Sequence, residues 1–206
     1  MRLVDALTEK GQPFRIPDAD RNDLPQLYKD LGFTTGVEIG TDKGKYAKIM
    51  CEAGLKLYCV DPWLWYDDYP HPEGQKRLDH LYDHSKRLLE PLGATIIRKT
   101  SMEAVKDFKP GSIDFVYIDG HHGFKYVAED LWEWSKVVRK GGIIAGHDFA
   151  LTIHTEIRDP FVLHVKHVLL GYTKALHIDN WYVIGSDNAK PGEKREMFRS
   201  WFWINK

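Results

Sequence analysis

The stretch Gly36-Val37-Glu38-Ile39-Gly40-Thr41-Asp42-Lys43-Gly44, followed by Leu57-Tyr58-Cys59-Val60-Asp61, decides the fold. An apolar strand runs into a glycine turn, a helical stretch follows, and a second apolar strand stops at an acid. Two parallel strands joined through a helix in this way leave a nucleoside pocket at their carboxyl ends. Gly40 and Gly44 let the backbone pass close to a ligand with no side chain in the way. Asp61 lies 23 residues after Glu38, the spacing at which a carboxylate on the second strand accepts hydrogen bonds from both hydroxyls of a ribose. The turn reads E-x-G-x-x-x-G rather than G-x-G-x-x-G. Glu38 repels a pyrophosphate and attracts a ligand that carries an amino group or a sulfonium.

Outward from this unit, apolar periodicity predicts alternating strands and helices. Leu24, Leu27, Tyr28 and Leu31 mark a helix, strands follow at 35–40 and 55–60, and a helix at 43–53 lies between them. After an aromatic loop at 62–76 comes a helix marked by Leu78, Leu81, Tyr82, Ser85, Leu88 and Leu89. A strand at 94–98, a short capped helix at 101–108 and a strand at 113–118 continue the alternation. In the next helix Phe124, Val127, Leu131, Trp134 and Val138 share a face; Arg139 and Lys140 suit its end, and Gly141-Gly142 break it. A strand at 143–146, a helix near 158–171 and two aromatic strands at 181–184 and 201–204 complete the chain. The expected fold is α/β: a doubly wound, mostly parallel sheet with a C-terminal antiparallel hairpin. All 206 residues read as one domain, with 1–20 a loosely structured lead-in.

Composition narrows the partners. Lys plus Arg is 29 against 30 for Asp plus Glu, so no strong field selects nucleic acid or an anionic membrane. Apolar runs are about strand length, well short of the roughly 20 residues that span a bilayer. The N-terminal residues carry acids and no apolar core, unlike a signal peptide. Cys51 and Cys59 read as structural thiols of a reducing compartment, so a cytoplasmic protein with a small-molecule substrate is expected. The Trp-rich hairpin offers an edge through which copies of the chain could pair as a homo-oligomer.

The glycine turn and its correctly spaced acid resemble the first two motifs of class I S-adenosylmethionine-dependent methyltransferases. A sharper resemblance lies in Ile118-Asp119-Gly120-His121-His122-Gly123-Phe124, Trp132-Glu133-Trp134 and Gly141-Gly142-Ile143-Ile144-Ala145-Gly146-His147-Asp148-Phe149. These segments look like the O-methyltransferase branch that includes macrocin O-methyltransferase and cephalosporin hydroxylase-like proteins, over roughly residues 33–150. The resemblance implies S-adenosylmethionine as cofactor, held by Glu38, Gly40, Thr41, Gly44, Asp61, Trp63, Ser101, Met102 and Asp119. It also implies Mg2+ or another divalent cation on Asp119 and Asp148, with His147 a further candidate ligand. His121, Gly123-Phe124-Lys125 and His147 depart from the branch's usual residues and leave the metal's identity open.

Physical chemistry supports these roles separately. A metal lowers the pKa of an acceptor hydroxyl and positions it for attack on a methyl group. His122, three residues beyond a strand end, has an ordinary pKa of about 6.5 and suits a general base; Asp119 stands beside it in the catalytic set. Ser101 either meets the adenine edge or caps a helix, Trp63 either covers the adenine or packs under the following helix, and His147-Asp148 either ligate or close their turn. Sugar, phenol or another small hydroxylated compound is the expected acceptor. A nucleotide-dependent oxidoreductase on a similar sheet and a non-catalytic cofactor-binding module are the rival readings.

Overall fold

In the computed structural model, which describes residues 2–66, 74–150 and 163–206, eight strands form one sheet. In chain order they are β1 (Phe14–Ile16), β2 (Thr35–Ile39), β3 (Lys56–Val60), β4 (Thr95–Ile97), β5 (Ile113–Ile118), β6 (Val138–Phe149), β7 (Tyr182–Ile184) and β8 (Arg199–Ile204). The helices are α1 (Leu3–Ala6), α2 (Leu24–Asp30), α3 (Lys45–Glu52), α4 (Gly74–Leu89), α5 (Ser101–Ala104), α6 (Phe124–Val137) and α7 (Val165–Ala175). The sheet runs β1-β7-β8-β6-β5-β2-β3-β4, and β8 alone is antiparallel to its neighbours. This is the expected doubly wound sheet with its C-terminal antiparallel pair.

The central strands are apolar throughout because both faces are covered. Side chains alternate between the faces, so one set, Leu57, Cys59, Phe115 and Tyr117, packs with Leu27 of α2 and Met50 of α3. The other set, Val37, Ile39, Val60 and Val116, packs with Leu131 of α6 and Leu169 of α7.

Three expectations change. The lead-in expected over 1–20 is not loose where it is described, from residue 2 on: Leu3, Ala6 and Ile16 are buried, and β1 pairs in parallel with β7. The terminal hairpin is therefore not an edge, since β1 covers β7 and β8 lies between β7 and β6. β6 is also much longer than 143–146. The helix stops at Val137 because Val138 is already extended (φ −69°, ψ 129°) and pairs with Ile113. Arg139 serves no helix end; its Nε donates to Asp114 Oδ1 at 2.7 Å, while Asp114 Oδ2 accepts the Thr34 and Thr35 amides. The helix expected near 158–171 lies partly outside the described residues, as do Asp67, Asp68, Tyr69 and Pro70 of the aromatic loop.

Candidate active site

The turn after β2 is a tight knot of backbone contacts. Gly40 takes φ +86°, its N–H donates to Val60 O at 2.8 Å, and a Cβ there would stand 2.0 Å from Asp119 O. Gly40 is thus required by the crossing of two strand ends as well as by any ligand. Gly44 begins α3 at φ +71°, where a Cβ would meet Leu89 of α4 at 2.8 Å. Asp61 closes the same turn: Oδ2 accepts the Asp42 amide at 2.9 Å and Oδ1 the Trp63 amide at 2.7 Å. Burial lifts the Asp61 carboxyl to about 6, with those two amides pulling the other way. Trp63 is buried, edge-on to Tyr82 of α4, and donates from Nε1 to Asp42 O at 3.0 Å. Packing under α4 is therefore its main contact.

Outside the carboxyl ends of β2, β3 and β5 opens a cavity of about 590 Å3. Gly40, Asp61, Trp63, Ser101, Met102 and Asp119 line it, so six of the nine expected cofactor contacts converge. Glu38, Thr41 and Gly44 lie behind the wall. Glu38 sits in register with Cys59 and Tyr117 and shares their face of the sheet, which turns it away from the cavity. Among the described residues no hydrogen bond of good geometry reaches its buried Oε2 or the Thr41 hydroxyl, and burial raises the Glu38 carboxyl well above the usual range, with the nearby Thr41 hydroxyl opposing. A depression of about 600 Å3 between α5 and α6, lined by Val105, Lys106, Ala128 and Trp132, carries none of the strand-end acids.

The turn after β4 takes the helix-capping role away from Ser101. Thr100 is the N-cap, in a capping box with Glu103. Ser101 accepts the Trp134 indole N–H at 2.8 Å and donates to Asp130 Oδ1. Asp130 is itself buried, lines the cavity, and is lifted by burial to about 7. Its place on the apolar stripe of α6, among Val127, Leu131 and Trp134, is a sequence signal that went unread.

Beside the cavity, Asp119, His122 and Asp148 bring one ligand atom each within 4.8 Å of one another. His122 Nε2 stands 2.8 Å from Asp148 Oδ2. Burial would lower the His122 pKa, but the Asp148 hydrogen bond and charge outweigh it and raise it. Asp148 is held well below the usual carboxylate range: burial opposes this, and the two histidines prevail. Burial raises Asp119 to about 6, with His147 opposing. His147 Nδ1 is 3.8 Å from Asp119 Oδ1 and 3.5 Å from Asp148 Oδ1, while Nε2 is 3.5 Å from Glu196 Oε1. The trio with ligand geometry thus contains His122, expected as the base, in place of His147. Arg21, 3.6 Å from Asp119 Oδ2, and Glu196 reach the site from distant segments and were not foreseen.

A mostly parallel sheet with a cavity outside its strand ends, flanked by an acid–histidine cluster, is the ligand-site arrangement of the doubly wound α/β class. Residues 37–149 match the model of a family described as a methyltransferase domain; this is more than half of the chain, which belongs to that family. The chain is 25% identical over 129 residues to the uncharacterized protein y4gI of Sinorhizobium fredii, a match that takes in 60% of this chain and 13% of that much longer protein. Among solved structures it superposes on the O-methyltransferase from Bacillus cereus in complex with SAH, with a TM-score of 0.59 and 14% identity over 89% of this chain and 79% of the other. TomG, the Streptomyces achromogenes O-methyltransferase of tomaymycin synthesis in complex with SAM, gives a TM-score of 0.60 and 13% identity over 90% of this chain and 79% of its own. At these identities the likeness is one of fold. No helix among the described residues is long and apolar enough to cross a membrane.

Proposed function

We propose that the protein binds S-adenosylmethionine in the 590 Å3 cavity and transfers its methyl group to a hydroxyl of a small acceptor, such as a sugar, a phenol or a natural product. The observation that carries this is that Asp119 belongs both to the wall of the cavity that Asp61 lines and to the trio with His122 and Asp148. The cavity's residues fit the cofactor: Asp61 retains lone pairs for ribose hydroxyls, Gly40 adds no bulk, and the base end meets Ser101, Met102 and Asp130. In the transfer, the acceptor oxygen forms a bond to the methyl carbon as the carbon–sulfur bond breaks, and the hydroxyl proton passes to His122 or to solvent.

Two carboxylates and an imidazole at these separations also fit a divalent cation. When bound there, the cation would lower the acceptor hydroxyl's pKa. The 2.8 Å contact favours a second reading, in which Asp148 orients His122 as a metal-free general base. In that reading His122 Nε2 donates its hydrogen to Asp148 and Nδ1 is the base; Nε2 cannot ligate a cation and carry that hydrogen at once, so chelation separates the two readings.

Calorimetry with S-adenosylmethionine should show wild-type binding that Asp61→Ala weakens by about 2–4 kcal/mol, roughly 1–2 for each ribose hydrogen bond. Release of S-adenosylhomocysteine over a panel of hydroxylated acceptors then reads turnover. Loss of turnover in chelator with cofactor binding intact supports the cation; full turnover leaves the His122–Asp148 pair. Absence of cofactor binding by the wild type defeats the proposal.

A further inference from the structure

Ser101 has little left to offer a ligand. A hydroxyl has one proton and two lone pairs; the proton goes to Asp130 Oδ1, and one lone pair receives the Trp134 N–H. This chain of contacts fixes the Oδ1 side of the Asp130 carboxyl. Among the described residues none donates a hydrogen bond to Oδ2, and Asp130 forms part of the cavity wall. Gly120 contributes no side chain nearby: a Cβ there would stand 4.0 Å from Asp130 Oδ2. A nine-tenths-buried acid in a cavity wall, with one oxygen anchored and the other without a donor among the described residues, is a built acceptor, and a buried acceptor is costly unless a donor meets it.

The position of that acceptor names the donor. With the ribose held at Asp61, an adenosine ligand in the same cavity meets Ser101, Met102 and Asp130 with its base. The donor adenine presents at its edge is the exocyclic amino group. We propose that Asp130 Oδ2 accepts that amino hydrogen and makes the site selective for adenine over hypoxanthine, with Ser101 and Trp134 as positioning residues. The inference rests on the S-adenosylmethionine reading above.

The test is calorimetric binding of S-adenosylhomocysteine and of S-inosylhomocysteine, in which a carbonyl replaces the amino group, to wild type, Asp130→Asn and Ser101→Ala. At about pH 8.5, where Asp130 is ionised, the wild type should prefer the adenine ligand by about tenfold to a hundredfold, the range for one hydrogen bond to a charged group. Asp130→Asn can turn its amide N–H toward the hypoxanthine carbonyl, so the preference should collapse to within about threefold or invert. Ser101→Ala should weaken both ligands alike and keep the preference. Equal binding of the two ligands by wild type overturns the proposal, as does a preference unchanged in Asp130→Asn. A preference abolished by Ser101→Ala would assign the base edge to Ser101 instead and also overturn it; this arm decides the matter if Asp130→Asn fails to fold. Wild type that binds neither ligand removes the cofactor reading itself, and this inference with it.

Discussion

Gly40 concentrates more constraint than any other residue of the site. Its positive φ and the 2.0 Å approach of Asp119 O to its would-be Cβ act together, and the obstacle is backbone that cannot swing away. Gly40→Ala should cost at least about 3 kcal/mol in urea denaturation and abolish cofactor binding. Gly54→Ala is the control: it shares a positive φ of +90° but meets nothing within 4 Å, so its cost should be about 1–2 kcal/mol. The sequence disclosed Gly40, Asp61, Asp119 and Asp148 because each ends a strand, where the chain pattern itself marks the ligand side of the sheet. Asp130, Arg21 and Glu196 were invisible to that rule because they arrive from a helix, a short turn and a loop remote in sequence. Glu38 shows the converse: correct in motif, it faces the other side of the sheet, since strand alternation places it with Cys59 and Tyr117.

Among the elements, the long central strands and α6 were legible because buried strands and amphipathic helices write their periods plainly. β1 was not. Three residues, Phe14-Arg15-Ile16, are too short to show a period, and their partner β7 lies more than 160 positions away. Ile16 is nonetheless fully buried and pairs with Ile184. Ile16→Ala should cost about 2–4 kcal/mol by chemical denaturation, as core positions do, where a loose lead-in would lose almost nothing. β6 was underestimated because Gly141-Gly142 look like a break; in the sheet their backbone instead exchanges hydrogen bonds with Asn205.

For the whole molecule, the buried ionisable groups set a common pH trend. His147 is lifted to about 9: burial opposes this, and hydrogen bonds to Asp148 and Glu196 overcome it. Its stabilisation is complete below its ordinary value of about 6.5 and is lost as pH rises through 9. Asp61, Asp119 and Asp130, lifted mainly by burial to about 6, 6 and 7, favour the folded state most when protonated, so their contribution also declines as pH rises through those values. Asp148, held low, contributes above the ordinary value of about 4 and is lost only in acid. The melting temperature of the metal-free protein should therefore be highest near pH 4, where Asp148 is ionised and the three raised carboxyls are still protonated, and fall toward pH 9; a flat profile from pH 4 to 9 would contradict these assignments. The reversed strand β8 has a further consequence, in the order of assembly. Because it sits between β6 and β7, and β7 carries β1, the β1–β7 pair has no link to the rest of the sheet until residues 199–204 have been synthesised. The growing polypeptide must therefore hold a β2-to-β6 nucleus with one flank open, then zip up that flank outward as the last strand arrives.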